Sequence, residues 1–329
     1  MTVINGIEID FIQYEQNIIK TSIKNNEPIE DKLHVIIVIS NPCQYAKRYI
    51  LAKEFIKRTE MEESNVNLYI VELAYNDQKY YLTSPTNKNH LQLHSNKPIW
   101  HKESMINVGV SKLLPVNWKA MAWIDADIEF ESPTWALDTL KILNGSKDIV
   151  QLFSHAVDMD NNKLAMSIFN SFGYMYCKGN KYSTCGINHW HPGFAWACTR
   201  KAYDKLGGLY DAAILGSGDH IMALSLINMG LNSITSQSTD NYKESILSFQ
   251  DNCKSLRLGY VPGVIRHYFH GSKKNRKYTE RWQILVKYDY SPILHITKDN
   301  NGLIKPTESF PSGLLFDIMQ YFIERNEDE

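Results

Sequence analysis

Long apolar runs, a surplus of one charge and paired cysteines are all scarce in this chain of 329 residues. No stretch stays apolar for the length a bilayer crossing needs, and the opening MTVINGIEIDF carries acidic residues early. The sequence therefore predicts neither a signal peptide nor a membrane span, and a soluble cytoplasmic protein. The formal net charge is −1, from 35 Lys and Arg against 36 Asp and Glu. A general nucleic-acid binder shows a basic excess, and none exists here, so no nucleic-acid partner is expected. The cysteines number five, an odd count (Cys43, Cys177, Cys185, Cys198 and Cys253), and their spacing matches no zinc pattern. They read as free thiols in a reducing compartment. Internal repeats and low-complexity segments are absent.

Apolar residues make up 43% of the chain, enough for a sizeable core. The length suits one large α/β domain, or one domain with a small appendage. Residues 1–31 read as a leader segment, 32–285 as the main domain and 286–329 as a C-terminal tail. That tail carries an amphipathic stretch, SGLLFDIMQYFIER, whose apolar face packs on the core or meets a partner; the sequence leaves the oligomeric state open. His34 to Ile39 is a continuous β-branched run, as in a strand buried on both faces of a parallel sheet. Further strands are expected at Val66–Leu73, Ala120–Ile124, Ile149–Phe153 and within Gly193–Thr199. Helices are expected from about Ala46 to Lys57, from Trp100 to Leu113, and from Arg200 to Leu206 with a stop at Gly207-Gly208. Residues 231–259 read as irregular. The alternation of strand and helix predicts a mostly parallel sheet covered by helices. Ligands of such sheets bind beyond the carboxyl ends of the strands, where Asn41, Glu72 and Asp125 fall.

Four features carry chemistry. Asp125-Ala126-Asp127 follows a buried strand, and two carboxylates one residue apart can share Mn²⁺ or Mg²⁺ together with substrate phosphates. The plain alternative is a solvated turn. Asp219 follows Gly216-Ser217-Gly218 and opens the helix IMALSLINM. A helix N-terminus keeps a carboxylate ionised, as a general base requires, although Asp is equally an ordinary cap there. Residues 265–278 gather His267, His270 and a run of cations including Lys273. A histidine there completes a metal shell, and the cations neutralise a diphosphate; the alternative is a solvated basic loop. The stretch from Asn188 to Trp196 supplies aromatic rings for stacking on sugar faces, with Trp190 assigned to the pocket and Trp196 to the core edge. His189 and His191 there are ligand contacts or surface residues.

Taken in order, these segments resemble a GT-A glycosyltransferase, nearest the β-1,4-galactosyltransferase and family-2 group, over roughly residues 34–282. The resemblance is carried by HVIIVISNPCQYAKRY, Trp100 to Gly109 with its Asn-Val-Gly element, AWIDADIEF, HPGFAWACTRKAYDKLGG, Gly216-Ser217-Gly218-Asp219 and Ile265-Arg266-His267. It implies a GT-A fold, a Rossmann-like nucleotide-sugar-binding mixed sheet flanked by helices, with a short C-terminal helical tail. It implies Asp127 as metal ligand with Asp125 in support, and His267 or His270 as the late ligand. Donor contacts fall on Asn41, Pro42, Glu72, Lys102, Asn107, Asp125, Ala126 and Lys273. Asp219 is implied as the catalytic base of an inverting transfer, beside an acceptor pocket of Trp190, Gly193, Phe194, Gly218 and His220. The family's Glu before the catalytic Asp is replaced by Gly218, so acceptor contacts differ. The implied partners are a nucleotide-sugar donor, UDP favoured, and a glycan, lipid or protein acceptor. Two rival functions are weighed. A sugar-nucleotide nucleotidyltransferase would carry a glycine-rich first loop, which SNPCQYAKRY is not. A non-catalytic carbohydrate-binding protein on a degenerate fold would not need Asp127, Asp219 and the late histidines together.

Overall fold

A computed structural model describes residues 2–4, 7–9, 18–184 and 189–329. Cys185 and Asn188 lie outside these residues. Two sheets dominate. In chain order their strands are β1 (Leu33–Ser40), β2 (Val66–Tyr75), β3 (His90–Ser95), β4 (Ala120–Ile124), β5 (Ile128–Phe130), β6 (Ile149–Gln151), β7 (His155–Met159), β8 (Ala165–Ser171), β9 (Trp190–His191), β10 (Ala195–Thr199), β11 (Leu258–Tyr260) and β12 (Val264–His267).

The seven-stranded sheet has the order β11-β6-β10-β4-β1-β2-β3. Every pairing is parallel except the two made by β10. The β-branched run of β1 lies inside it, between β4 and β2, and is buried almost throughout. A strand covered on both faces gains from apolar residues at successive positions rather than alternate ones. The five-stranded sheet has the order β9-β8-β7-β12-β5.

Helices flank the larger sheet: α1 (Ala46–Glu62), α2 (Lys102–Leu113), α3 (Gly218–Leu226) and α4 (Ser312–Glu324) among them. Close approach of α2 depends on Gly109, where a Cβ would lie 2.9 Å from Val71 of β2. The helix Arg200–Leu206 ends as the sequence suggests, on Gly207 in the left-handed region.

One expectation needs correction and one open alternative is decided. Residues 231–259 are not irregular: they contain the helix Asp240–Cys253 and the strand β11. Tyr242, Ile246, Phe249 and Cys253 form its buried face, the spacing of a helical stripe. Of the two roles left open for the amphipathic stretch near the C-terminus, packing on the core is the one observed: α4 buries Leu314, Ile318, Tyr321 and Phe322 in the same core as the large sheet. Among the described residues, no helix is long and apolar enough to cross a membrane.

Candidate functional site

The site begins where the chain leaves one sheet for the other. After β4 it takes a three-residue step, Asp125-Ala126-Asp127, and enters β5. Asp125 N donates to Phe194 O (2.8 Å), and Tyr268 N donates to Asp127 O (2.8 Å). In β12, His267 pairs with Ile128 of β5 on one side and Asp158 of β7 on the other. Register alone thus seats His267 beside both Asp127 and Asp158.

His267 Nδ1 donates to Asp158 Oδ1 at 2.6 Å, and its Nε2 lies 3.8 Å from Asp127 Oδ2. A carboxylate on Nδ1 fixes the tautomer and leaves Nε2 as a lone pair facing Asp127. His270 Nε2 lies 2.8 Å from the same Asp127 oxygen. Ligand atoms of Asp127, His267 and His270 all fall within 4.8 Å of one another.

Two observations test whether these residues suit a cation. Asp127 Oδ1 is buried without a hydrogen-bond partner. His270 Nε2 is also 2.8 Å from Arg276 Nη2. If protonated, that nitrogen opposes Arg276; if bare, it opposes the Asp127 carboxylate. A divalent cation in place of the proton removes the conflict once Arg276 turns away. Imidazole and carboxylate together suit Mn²⁺. Burial pushes the Asp127 carboxyl up, but His270 and His267 hold it well below the usual carboxylate range. Asp158 is likewise pushed up by burial and held low by His267 and Lys273.

A second corner lies on the other side of the step. Lys102, at the start of α2, forms an ion pair with Asp125. Asp125 therefore faces an ammonium group and not the histidines. Asp219 sits in the first turn of α3, after Gly216 (φ +90°) and Ser217 (φ +76°). Its Oδ1 accepts from His220 N (2.8 Å). A Cβ on Gly193 would lie 3.0 Å from Asp219 Oδ2, and a Cβ on Gly218 would lie 2.4 Å from the Glu103 carboxylate. Two glycines therefore make room for two acids. Burial pushes Glu103 up to about 8; Lys102 opposes this, and Asp219 and Asp125 add to it. Phe194 has a left-handed backbone (φ +80°), rare for a bulky residue. Its ring stacks on His191 at 4.3 Å and leans on His267 at 4.5 Å, joining the two corners.

A cleft opens along the strand ends. Of the residues singled out from the sequence, Asn41, Pro42 and Lys102 line it, as do Asp125, Ala126 and Asp127, and Phe194, His267 and His270. Asn41 spends its amide on the loop: Oδ1 accepts from Tyr45 N and Nδ2 donates to Tyr45 O. Gly193, Gly218 and Asp219 gather on the Lys102 side. The His220 ring is 3.2 Å from Tyr182 Oη.

Four expected contacts lie elsewhere. Glu72 is 2% exposed, and its carboxylate accepts from Tyr81 N, Leu82 N, Thr83 N and Thr83 Oγ1. It holds a loop, with Oε2 taken three times over and Oε1 by Tyr81 N. Asn107 latches the turn after the Gly-Gly stop, donating to Leu209 O and accepting from Leu209 N and Tyr203 Oη. Trp190 is 3% exposed and packs edge-on against Phe172 and Tyr182, a core position and not a sugar platform. Lys273 pairs with Asp158 Oδ2 at 2.6 Å, bracing the His267 partner instead of reaching a donor. Sequence reasoning passed over Asp158 and Glu103, and also Arg48 and Glu327, which line the cleft.

No family model matches the chain, and no curated protein matches it. Among solved structures it is similar to the catalytic domain of Drosophila beta-1,4-galactosyltransferase 7 in complex with xylobiose. The identity is 12% and the TM-score 0.33, over 61% of this chain and 63% of that one. A mutant of that Drosophila enzyme in complex with manganese, UDP-Gal and xylobiose gives 11% identity and a TM-score of 0.33, over 60% of this chain and 62% of that one. The chain thus spans less than two thirds of the length of these structures.

Proposed function

We propose that this protein is a metal-dependent, inverting glycosyltransferase of the GT-A type. It moves a hexose from a nucleotide sugar, a UDP-sugar favoured, to a hydroxyl of a glycan, lipid or protein acceptor. One observation carries the reading. Asp127, His267 and His270 converge beside a strand-end cleft, with Asp127 Oδ1 buried and unpartnered.

In this reading Asp127, His267 and His270 hold Mn²⁺, which the two imidazoles favour over Mg²⁺. When bound, such a cation neutralises charge on the departing diphosphate. Asp158 keeps His267 in the tautomer that presents Nε2. Asp219 accepts the proton of the acceptor hydroxyl. The hydroxyl oxygen bonds to the anomeric carbon, the bond from that carbon to the nucleoside diphosphate breaks, and configuration inverts. Lys102 neutralises Asp125, so that one charged carboxylate fewer repels an anionic donor at the strand ends.

Calorimetry with UDP-, GDP- and ADP-sugars, with and without Mn²⁺, tests the proposal. The unaltered protein is expected to bind one donor class only with the cation. Asp127→Ala is expected to weaken that binding at least about 100-fold, the upper range even for residues that merely support a ligand. Affinity unchanged by the substitution, or by chelation, would remove the basis of the reading.

A further inference from the structure

Glu327 is a carboxylate in an unusual place. It is 1% exposed and lines the cleft beside the histidines. Arg48 of α1 grips it with both Nε and Nη2, the latter at 2.8 Å from Oε1. Arg325 Nη2 lies 2.6 Å from Oε1, and His270 Nδ1 lies 3.6 Å from Oε2. Arg276 lines the same cleft. Arg48 thus holds the carboxylate in the fork geometry that also recognises phosphate, Arg325 adds a second guanidinium, and Arg276 stands in the same cleft.

The match in charge is incomplete. Arg325 and Trp100 also line this cleft, and Arg325 Nε and Trp100 Nε1 are buried donors without an acceptor. The two oxygens of Glu327 are already taken by Arg48 and Arg325. A ligand with more oxygens could serve all of these donors.

The segment is also arranged to leave. Arg325 closes α4 and stacks on Trp100 and Tyr321, so it stays with the helix. Asn326, next in the chain, has a left-handed backbone (φ +41°). Beyond it the contacts are polar: Asp328 accepts from Ala46 N and Lys47 N at the start of α1, and Glu329 accepts from Asn275 Nδ2. Gly271 lets this segment lie close, since a Cβ there would sit 2.9 Å from Glu327 Cα.

We propose that Arg48, Arg276 and Arg325 form a subsite for a diphosphate, and that Glu327 fills it as an internal competitor which the diphosphate displaces. A cation on His270 frees Arg276 from that ring, bringing a third guanidinium to the incoming phosphates. Assigning this diphosphate to a sugar donor rests on the transferase reading; the subsite itself does not.

The test uses inorganic pyrophosphate with Mn²⁺ on the full chain. Glu327→Gln removes the competing charge and is expected to tighten pyrophosphate binding about tenfold by calorimetry, because the vacated state becomes the populated one. Equal or weaker binding would overturn the proposal and make Glu327 a support for His270. A second measurement needs no substitution. Adding pyrophosphate and Mn²⁺ to the unaltered protein is expected to speed hydrogen exchange in a peptide spanning residues 323–329. Unchanged or slower exchange there would show the segment seated with the ligand, against displacement. If pyrophosphate behaves as expected while no nucleotide sugar binds, the subsite stands and the transferase reading alone falls.

Discussion

The two corners of the cleft handle charge in opposite ways. On the histidine side each acid has basic partners: Asp127 faces His267 and His270, and Asp158 faces His267 and Lys273. On the other side Asp125, Glu103 and Asp219 share the single ammonium of Lys102. Paired carboxylates stay ionised, as cation ligands and their supports must. Crowded carboxylates cannot all ionise, and burial adds to the difficulty, so a proton is retained among them. One corner is suited to fixed charge, the other to moving a proton, and they stand one residue apart along the chain.

Breaking this contrast on the proton-handling side should have the largest effect. Asp219→Asn is expected to slow transfer by about 10²–10⁴, the usual contribution of a positioned base, while donor affinity stays unchanged. Turnover close to that of the unaltered protein would reduce Asp219 to a residue of a helix start. On the fixed-charge side, Asp158→Asn is expected to weaken Mn²⁺ binding about tenfold by releasing the His267 tautomer. A titration curve superposable on that of the unaltered protein would show that Asp158 does not tune the ligand.

The smallest effect sharpens the contrast through pH. Glu103 in the folded protein is pushed up to about 8 from its usual 4.5. Between those values the folded state holds a proton that the unfolded state has lost. Stability therefore falls as pH rises across that window. Glu103→Gln cannot ionise, so its melting temperature should exceed that of the unaltered protein by about 2–4 °C at pH 8. The gain should fade towards pH 4.5; a gain independent of pH would mean better packing and not a released charge.

How far the sequence discloses this site depends on whether the signal is local. β1, β4 and α2 are legible because a β-branched run or a helical period lies within each segment. Asp127 can be picked out because it follows a recognisable strand end, and His267 and His270 because they gather with a run of cations in residues 265–278. The helix Asp240–Cys253 had a signal that was overlooked: Thr239 is an N-cap whose side chain accepts from Tyr242 N, and the buried face repeats at helical spacing. Glu72 sits at a strand end as expected, but nothing in its own neighbourhood announces that residues 81–83 will claim both its oxygens. Trp190 and Trp196 look alike in sequence, and both are buried once β9 pairs with β8 and β10 with β4. Glu327 is the extreme case. The run Asn326 to Glu329 is acidic, and the guanidinium that grips Glu327 with two nitrogens comes from Arg48, 279 residues away.

The step from Asp125 to Asp127 has a mechanical consequence. One end is tied to Phe194, just before β10, and the other to Tyr268, just after β12. Those three residues act as a rivet through two sheets and cannot serve as a flexible tether. Were β12 to slip by a single position against β5, His267 would turn to the opposite face and leave its carboxylate neighbours behind. Correct strand pairing and a competent cation site are thus a single structural event, and a chain that folds out of register loses both together.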